Sequence, residues 1–85
     1  MNTLALEARA ARVWFDEHFL WILLQDGRQL SVPLSYFPRL LKASPAQRQR
    51  YELSGGGLGI HWDELDEDLS VPGLLASVPD LTKVG

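Results

Sequence analysis

Three constellations in this 85-residue chain hold side chains of types that could do chemistry. The first is His61 with Asp63, Glu64, Asp66 and Asp68, because imidazole nitrogens and carboxylates ligate divalent ions. A calcium loop takes oxygen ligands at alternate positions and a glycine at the sixth, whereas Asp66-Glu67-Asp68 runs into Leu69 and Ser70. The second is the run Ser54-Gly55-Gly56-Gly57-Leu58-Gly59, whose backbone N–H groups could cradle an anion where a loop enters a helix. A dinucleotide fingerprint begun at Gly55 needs glycine where Ile60 stands, and the chain has no Gly-Lys-Ser/Thr. The third is Ser54, His61 and Asp66, which has the residue types of a hydrolytic triad but no spacing that fixes their geometry. Paired carboxylates for glycoside hydrolysis could be drawn from the same acids, yet so small a chain leaves little room for a substrate cleft. The expectation is a non-enzyme with no catalytic residue, no cofactor and no metal. Leu65 and Leu69 point inward, and the acids face water or reach nearby backbone donors and arginines.

What then stands out is charge. Met1 to His61 carries seven basic and five acidic residues, +2, and Trp62 to Gly85 carries one basic and six acidic, −5; together these give the net −3 of the whole chain. An aromatic side chain, Trp62, sits at the boundary. This split points to an interaction module that engages a small basic protein through an acidic face formed by Trp62, Asp63, Asp66 and Asp68. Trp62 or the Tyr36-Phe37 surface supplies the desolvated anchor. A ligand-binding or sensory domain is the alternative, with the Gly55 to Gly59 loop closing a polar pocket beside His61. A weaker one is nucleic-acid contact through Arg39, Lys42, Arg48 and Arg50. An acidic chain lacks the cationic excess that phosphate neutralisation needs, so autonomous nucleic-acid binding is not expected.

These side chains must be positioned by short elements. Arg12 to Asp16 and Phe19 to Leu24 are β-branched and aromatic runs split by Glu17-His18, and read as two strands and a tight turn. Both pleat faces of the second run are apolar, which predicts a central strand covered on both sides. Asp26-Gly27 predicts a type I′ turn into a third strand, Gln29 to Leu34, half-exposed and ending near Pro33. Ser35 is expected to cap a helix over Tyr36 to Lys42, with Tyr36, Phe37, Leu40 and Leu41 packing on the sheet. Ser44-Pro45-Ala46-Gln47 is a capping box that starts a second short helix. Tyr51-Glu52-Leu53 fits its last turn or a short strand equally. Ile60-His61-Trp62 reads as a strand, and residues 71–77 as one or two helical turns. The fold class is α+β: a small antiparallel sheet built from an N-terminal β-meander and packed with short helices.

Length and composition fit this. Eighty-five residues seldom hold two cores, so one domain is expected over 1–85, with a loose tail from 78 to 85. The absence of cysteine rules out disulfides and thiolate metal sites and suits the cytoplasm. Met1 to Ala11 has no apolar run long enough for a signal-peptide core, and the longest, Phe19 to Leu24, is six residues against roughly 20 for a bilayer span. No membrane association is expected. A free sheet edge would permit a homo-oligomer without specifying one.

Five motifs occur in order: Asp26-Gly27-Arg28, Val32-Pro33-Leu34, Phe37-Pro38-Arg39-Leu40, Gly59-Ile60-His61-Trp62, and Leu65-Asp66-Glu67-Asp68-Leu69-Ser70-Val71 with Leu74-Leu75. In this the chain resembles the bacterial family catalogued as DUF family 2442, from about Arg12 to Leu75. Asp63 departs from the family pattern, in which proline commonly follows the tryptophan. The resemblance implies a small α+β fold with an antiparallel sheet, and no activity. By gene arrangement it implies an antitoxin-like partner of a second small protein. Some relatives carry an added helix-turn-helix domain, for which the matched residues leave no room.

Overall fold

A computed structural model describes residues 8–76; the expected tail from 78 to 85 lies outside the described residues. Two three-stranded antiparallel sheets share one core. The first is the N-terminal meander β1 (Ala10–Phe15), β2 (Phe19–Leu24) and β3 (Gln29–Pro33), with β2 in the middle. A 3-10 turn, Leu34–Tyr36, leads into α1 (Pro38–Lys42) and α2 (Pro45–Arg48). The second sheet is β4 (Glu52–Ser54), β5 (Gly59–Trp62) and β6 (Glu67–Ser70), with a Gly55–Gly57 turn between β4 and β5. Helix α3 follows over residues 71–76. The class is α+β as expected, but the strands after the helices make a sheet of their own and do not extend the first.

Period-two alternation decides what each strand buries. Val13, Leu20, Ile22, Leu24, Leu30, Val32 and Leu34 turn inward, where they meet Leu40, Ile60, Trp62 and Val71. Ala11 is the extra residue of a β-bulge, since Ala10 pairs with Leu24 and Arg12 with Leu23. The bulge leaves Ala11 and Arg12 both exposed between the buried Ala10 and Val13.

Four expectations need correction. β2 is central but covered on one face only, because Trp21 and Leu23 are half-buried and Phe19 is exposed on the other. The Asp26-Gly27 turn is not type I′, which needs positive φ at both residues; Gly27 has φ 97° and Asp26 does not. Leu24 accepts from Gly27 N–H and donates to the Arg28 carbonyl, which makes a three-residue loop closed by a left-handed glycine. Ser35 does not cap a helix. Pro38 disfavours helical φ/ψ at Phe37, so Phe37 stays extended at φ −129°, ψ 86° and α1 begins at Pro38. Of the stripe expected to pack on the sheet, Leu40 is buried and Phe37 packs against the core, while Tyr36 and Leu41 are exposed.

Ser44 forms the full capping box with Gln47. Of Tyr51-Glu52-Leu53, Glu52 and Leu53 belong to the strand β4, and Tyr51 precedes it.

Candidate functional site

The acidic segment is the tip of the β5–β6 hairpin. Trp62 pairs with Glu67, and residues 63–66 form the turn between them. Leu65 N–H donates to the Trp62 carbonyl and Asp66 N–H to the Asp63 carbonyl, both at 3.3 Å. Asp66 has φ 54°, a left-handed conformation that aspartate tolerates better than most residues.

Several contacts fasten this tip. Arg39 Nη1 donates to the Asp66 carbonyl at 2.5 Å, tying the segment that carries Tyr36, Phe37 and Leu41 to the turn. Arg50 pairs with Glu64 at 2.8 Å. From inside, Trp62 is only 1% exposed and is the largest fully buried side chain. Its Nε1 donates to the Arg48 carbonyl at 2.9 Å, and its ring packs edge-on to Phe15 and tilted to Tyr51. Trp62 therefore supports the tip from the core and presents no surface to a partner.

His61 stands on the outer face of the second sheet, its Nε2 3.0 Å from Asp63 and its Nδ1 3.2 Å from Asp68. The hydrogen bond to Asp63, and after it the one to Asp68, hold the imidazole's pKa above its ordinary 6.5, against the opposing effect of partial burial. Asp63 and Asp68 still project: their side chains are 92% and 78% exposed. Asp66 is exposed beside them. Of the six residues expected to contact a partner, the structure places Asp63, Asp66 and Asp68 together on the tip. It puts Tyr36 on the adjoining segment, 47% exposed, leaves Phe37 half-buried, and buries Trp62.

The alternative sites are engaged within the fold. Gly55 and Gly56 carbonyls accept from Arg9 and Gln25, and a Cβ on Gly57 would stand 2.5 Å from the Ala10 carbonyl oxygen. The glycine run is thus a close backbone contact with β1. Arg48 donates to the Leu40 and Leu41 carbonyls, closing the end of α1, and lies over the Phe15 ring. With Arg39 and Arg50 bound to the tip, three of the four cations are engaged in bonds within the fold. Among the described residues no three His, Asp or Glu side chains are grouped so as to hold a metal ion, and no helix is long and apolar enough to cross a membrane.

Sequence reasoning missed the outer face of the first sheet, where Trp14 stacks on Trp21 at 6.1 Å and Arg12 lies over Trp14. Trp21 Nε1 donates to Asp16. The signal was the alternation of Arg12, Trp14 and Asp16 along one pleat face.

A family model described as a protein of unknown function, DUF2442, matches residues 10–80. The fold is similar to a crystal structure of a protein of unknown function from Rhodospirillum rubrum. The TM-score is 0.72 at 36% identity, over 85% of this chain and 89% of that one. It is also similar to the solution structure of an uncharacterized protein from Chromobacterium violaceum, with a TM-score of 0.70 at 26% identity, over 87% of this chain and 70% of that one. No curated protein matches the chain.

Proposed function

As the chain belongs to the DUF2442 family, whose molecular function is unknown, we propose that it is a non-enzymatic protein-interaction module that binds a small basic protein through the β5–β6 tip. The observation that carries this reading is the imbalance at the tip. Asp63 and Asp66 on the turn and Asp68 at the start of β6 project from a tip fastened by Arg39, Arg50 and Trp62, and the arginines there bond the Asp66 carbonyl, Glu64 and the α1 carbonyls rather than these three carboxylates. Carboxylates held in place by the fold need little ordering on binding, and their combined field steers a cationic partner. Tyr36, on the segment that Arg39 ties to the tip, supplies the apolar contact, with Phe37 behind it. An antitoxin-like role would follow by occlusion: the acids cover the basic surface with which the partner acts. The absence of cysteine suits such a role in the cytoplasm.

Replacing Asp63, Asp66 and Asp68 together by asparagine tests this, because asparagine keeps the side-chain shape and tolerates the left-handed backbone of Asp66. Association with the basic protein that copurifies with the native chain should slow about tenfold and lose most of its salt dependence. An unchanged association rate in a folded triple variant overturns the acidic-tip mechanism.

A further inference from the structure

A cleft of about 460 Å³ lies between β1 and α2, with Val13 to Glu17 on one side and Pro45, Arg48 and Gln49 on the other. Its size is that of a ligand site, and it is separate from the acidic tip. β1 is an edge strand, and its register fixes where its backbone points. Asp16 N–H donates to the Phe19 carbonyl at 3.1 Å, and pairing runs without a shift through Phe15↔Leu20, Trp14↔Trp21, Val13↔Ile22 and Arg12↔Leu23. Hydrogen-bonded and non-bonded pairs alternate in an antiparallel ladder. Arg12, Trp14 and Asp16 therefore bond to β2, and the backbone groups of Val13 and Phe15 turn to the free edge. The Tyr51 hydroxyl accepts from Val13 N–H at 3.3 Å and closes one end. The Val13 carbonyl and both backbone groups of Phe15 have no partner among the described residues.

We infer that this cleft is a strand-addition site, which takes a short extended segment of a partner protein as a fourth strand beside β1, with a basic side chain over Asp16 and Glu17. An extended backbone is the ligand that offers two N–H donors to the Val13 and Phe15 carbonyls and one carbonyl acceptor to the Phe15 N–H, at the spacing of those groups. The charge of the occupant follows from the end of the cleft, where Asp16 lies beside a Glu17 side chain that is 88% exposed. Residues paired across a ladder share a face. A segment residue opposite Phe15 therefore points inward, and its neighbours point outward beside Trp14 and Asp16. The alternation required is apolar in and polar out, with a basic residue opposite Asp16; beside Trp14 a long polar side chain suffices, since Arg12 lies over that ring. A second copy of β1 fits less well, since it would carry its own β2 on its far edge, where α2 stands. The other edge strand of this sheet, β3, ends at Pro33, which lacks an N–H and blunts that edge.

The test uses the blocked pentapeptide acetyl-Lys-Val-Lys-Val-Lys-amide and the ¹⁵N-labelled chain. Saturable amide shifts should be confined to residues 13–17 and 45–49, and amide exchange at Phe15 should slow at least about tenfold at saturation. Methylating the two valine nitrogens removes the donors that face β1 and should weaken binding about tenfold. Glu17→Lys, at an exposed site with no role in the core, should weaken it about threefold. The triple substitution D63N, D66N and D68N should leave it unchanged, which separates this inference from the acidic-tip reading. Four results would each overturn it: no shift up to millimolar peptide, shifts centred on the tip, equal binding of the methylated peptide, or a chain already dimeric with Phe15 protected before peptide is added.

Discussion

His61 is a base held between two acids, and its titration reports on the tip. Because Asp63 and Asp68 raise its pKa on folding, the stability it contributes is fully present below the unfolded value near 6.5. It is lost as pH rises through the higher folded value. Chemical denaturation followed from pH 5 to 9 should show this decline, and His61→Gln should remove it; an unaltered pH dependence in the variant would locate the effect elsewhere. Asp16 has the opposite sign. The Trp21 indole and the His18 and Phe19 amides lower its pKa, so its contribution is present above the unfolded value near 3.8 and fades as pH falls. At Trp62 the issue is packing. Trp62→Ala should cost about 3–5 kcal/mol. Trp62→Phe should cost about 1–3 kcal/mol, since the Arg48 carbonyl loses its donor, and urea denaturation separates the two. The residue types of the tip were legible in the sequence and the burial of Trp62 was not. An aromatic beside five acids reads as surface until the strand pairing shows that it shares the inner face with Ile60's neighbours in the core.

Glycine separates two kinds of turn among the elements. Gly27 has φ 97° with open space where a Cβ would stand, whereas at Gly57, φ 103°, a Cβ would also meet the Ala10 backbone. Gly27→Ala should therefore cost about 1–2 kcal/mol from backbone strain alone. Gly57→Ala should cost about 2–5 kcal/mol, because strain and overpacking add. Thermal melting of the two variants checks the order, and equal losses would contradict the close approach of the glycine turn to β1. Local chemistry was readable where one rule acted alone. The Ser44-Gln47 capping box and the extent of β2 followed from residue type and spacing. It misled where two rules competed: Pro38 overrode Ser35 at the start of α1, and a three-residue loop used the glycine of Asp26-Gly27 without needing the aspartate in a left-handed conformation.

At the level of the whole molecule, what the sequence left unread is long-range. The second sheet, the cleft between β1 and α2 and the internal pairing of Arg39, Arg48 and Arg50 all depend on segments far apart in the chain, which no local period records. The same placement leaves one hairpin tip with three projecting aspartates that no lysine or arginine pairs among the described residues, His61 alone lying between Asp63 and Asp68, and the proposed function rests on it. The most direct test is to purify the full chain gently from its native cells at low ionic strength and again at high salt. The copurifying protein is then identified and weighed by mass spectrometry. A small basic protein is expected in near-stoichiometric amount at low salt, released as screening shortens the reach of the acidic tip and absent when Asp63, Asp66 and Asp68 are all replaced by asparagine. A chain that emerges without a partner at low salt, or one whose partner survives both high salt and the triple substitution, would contradict it.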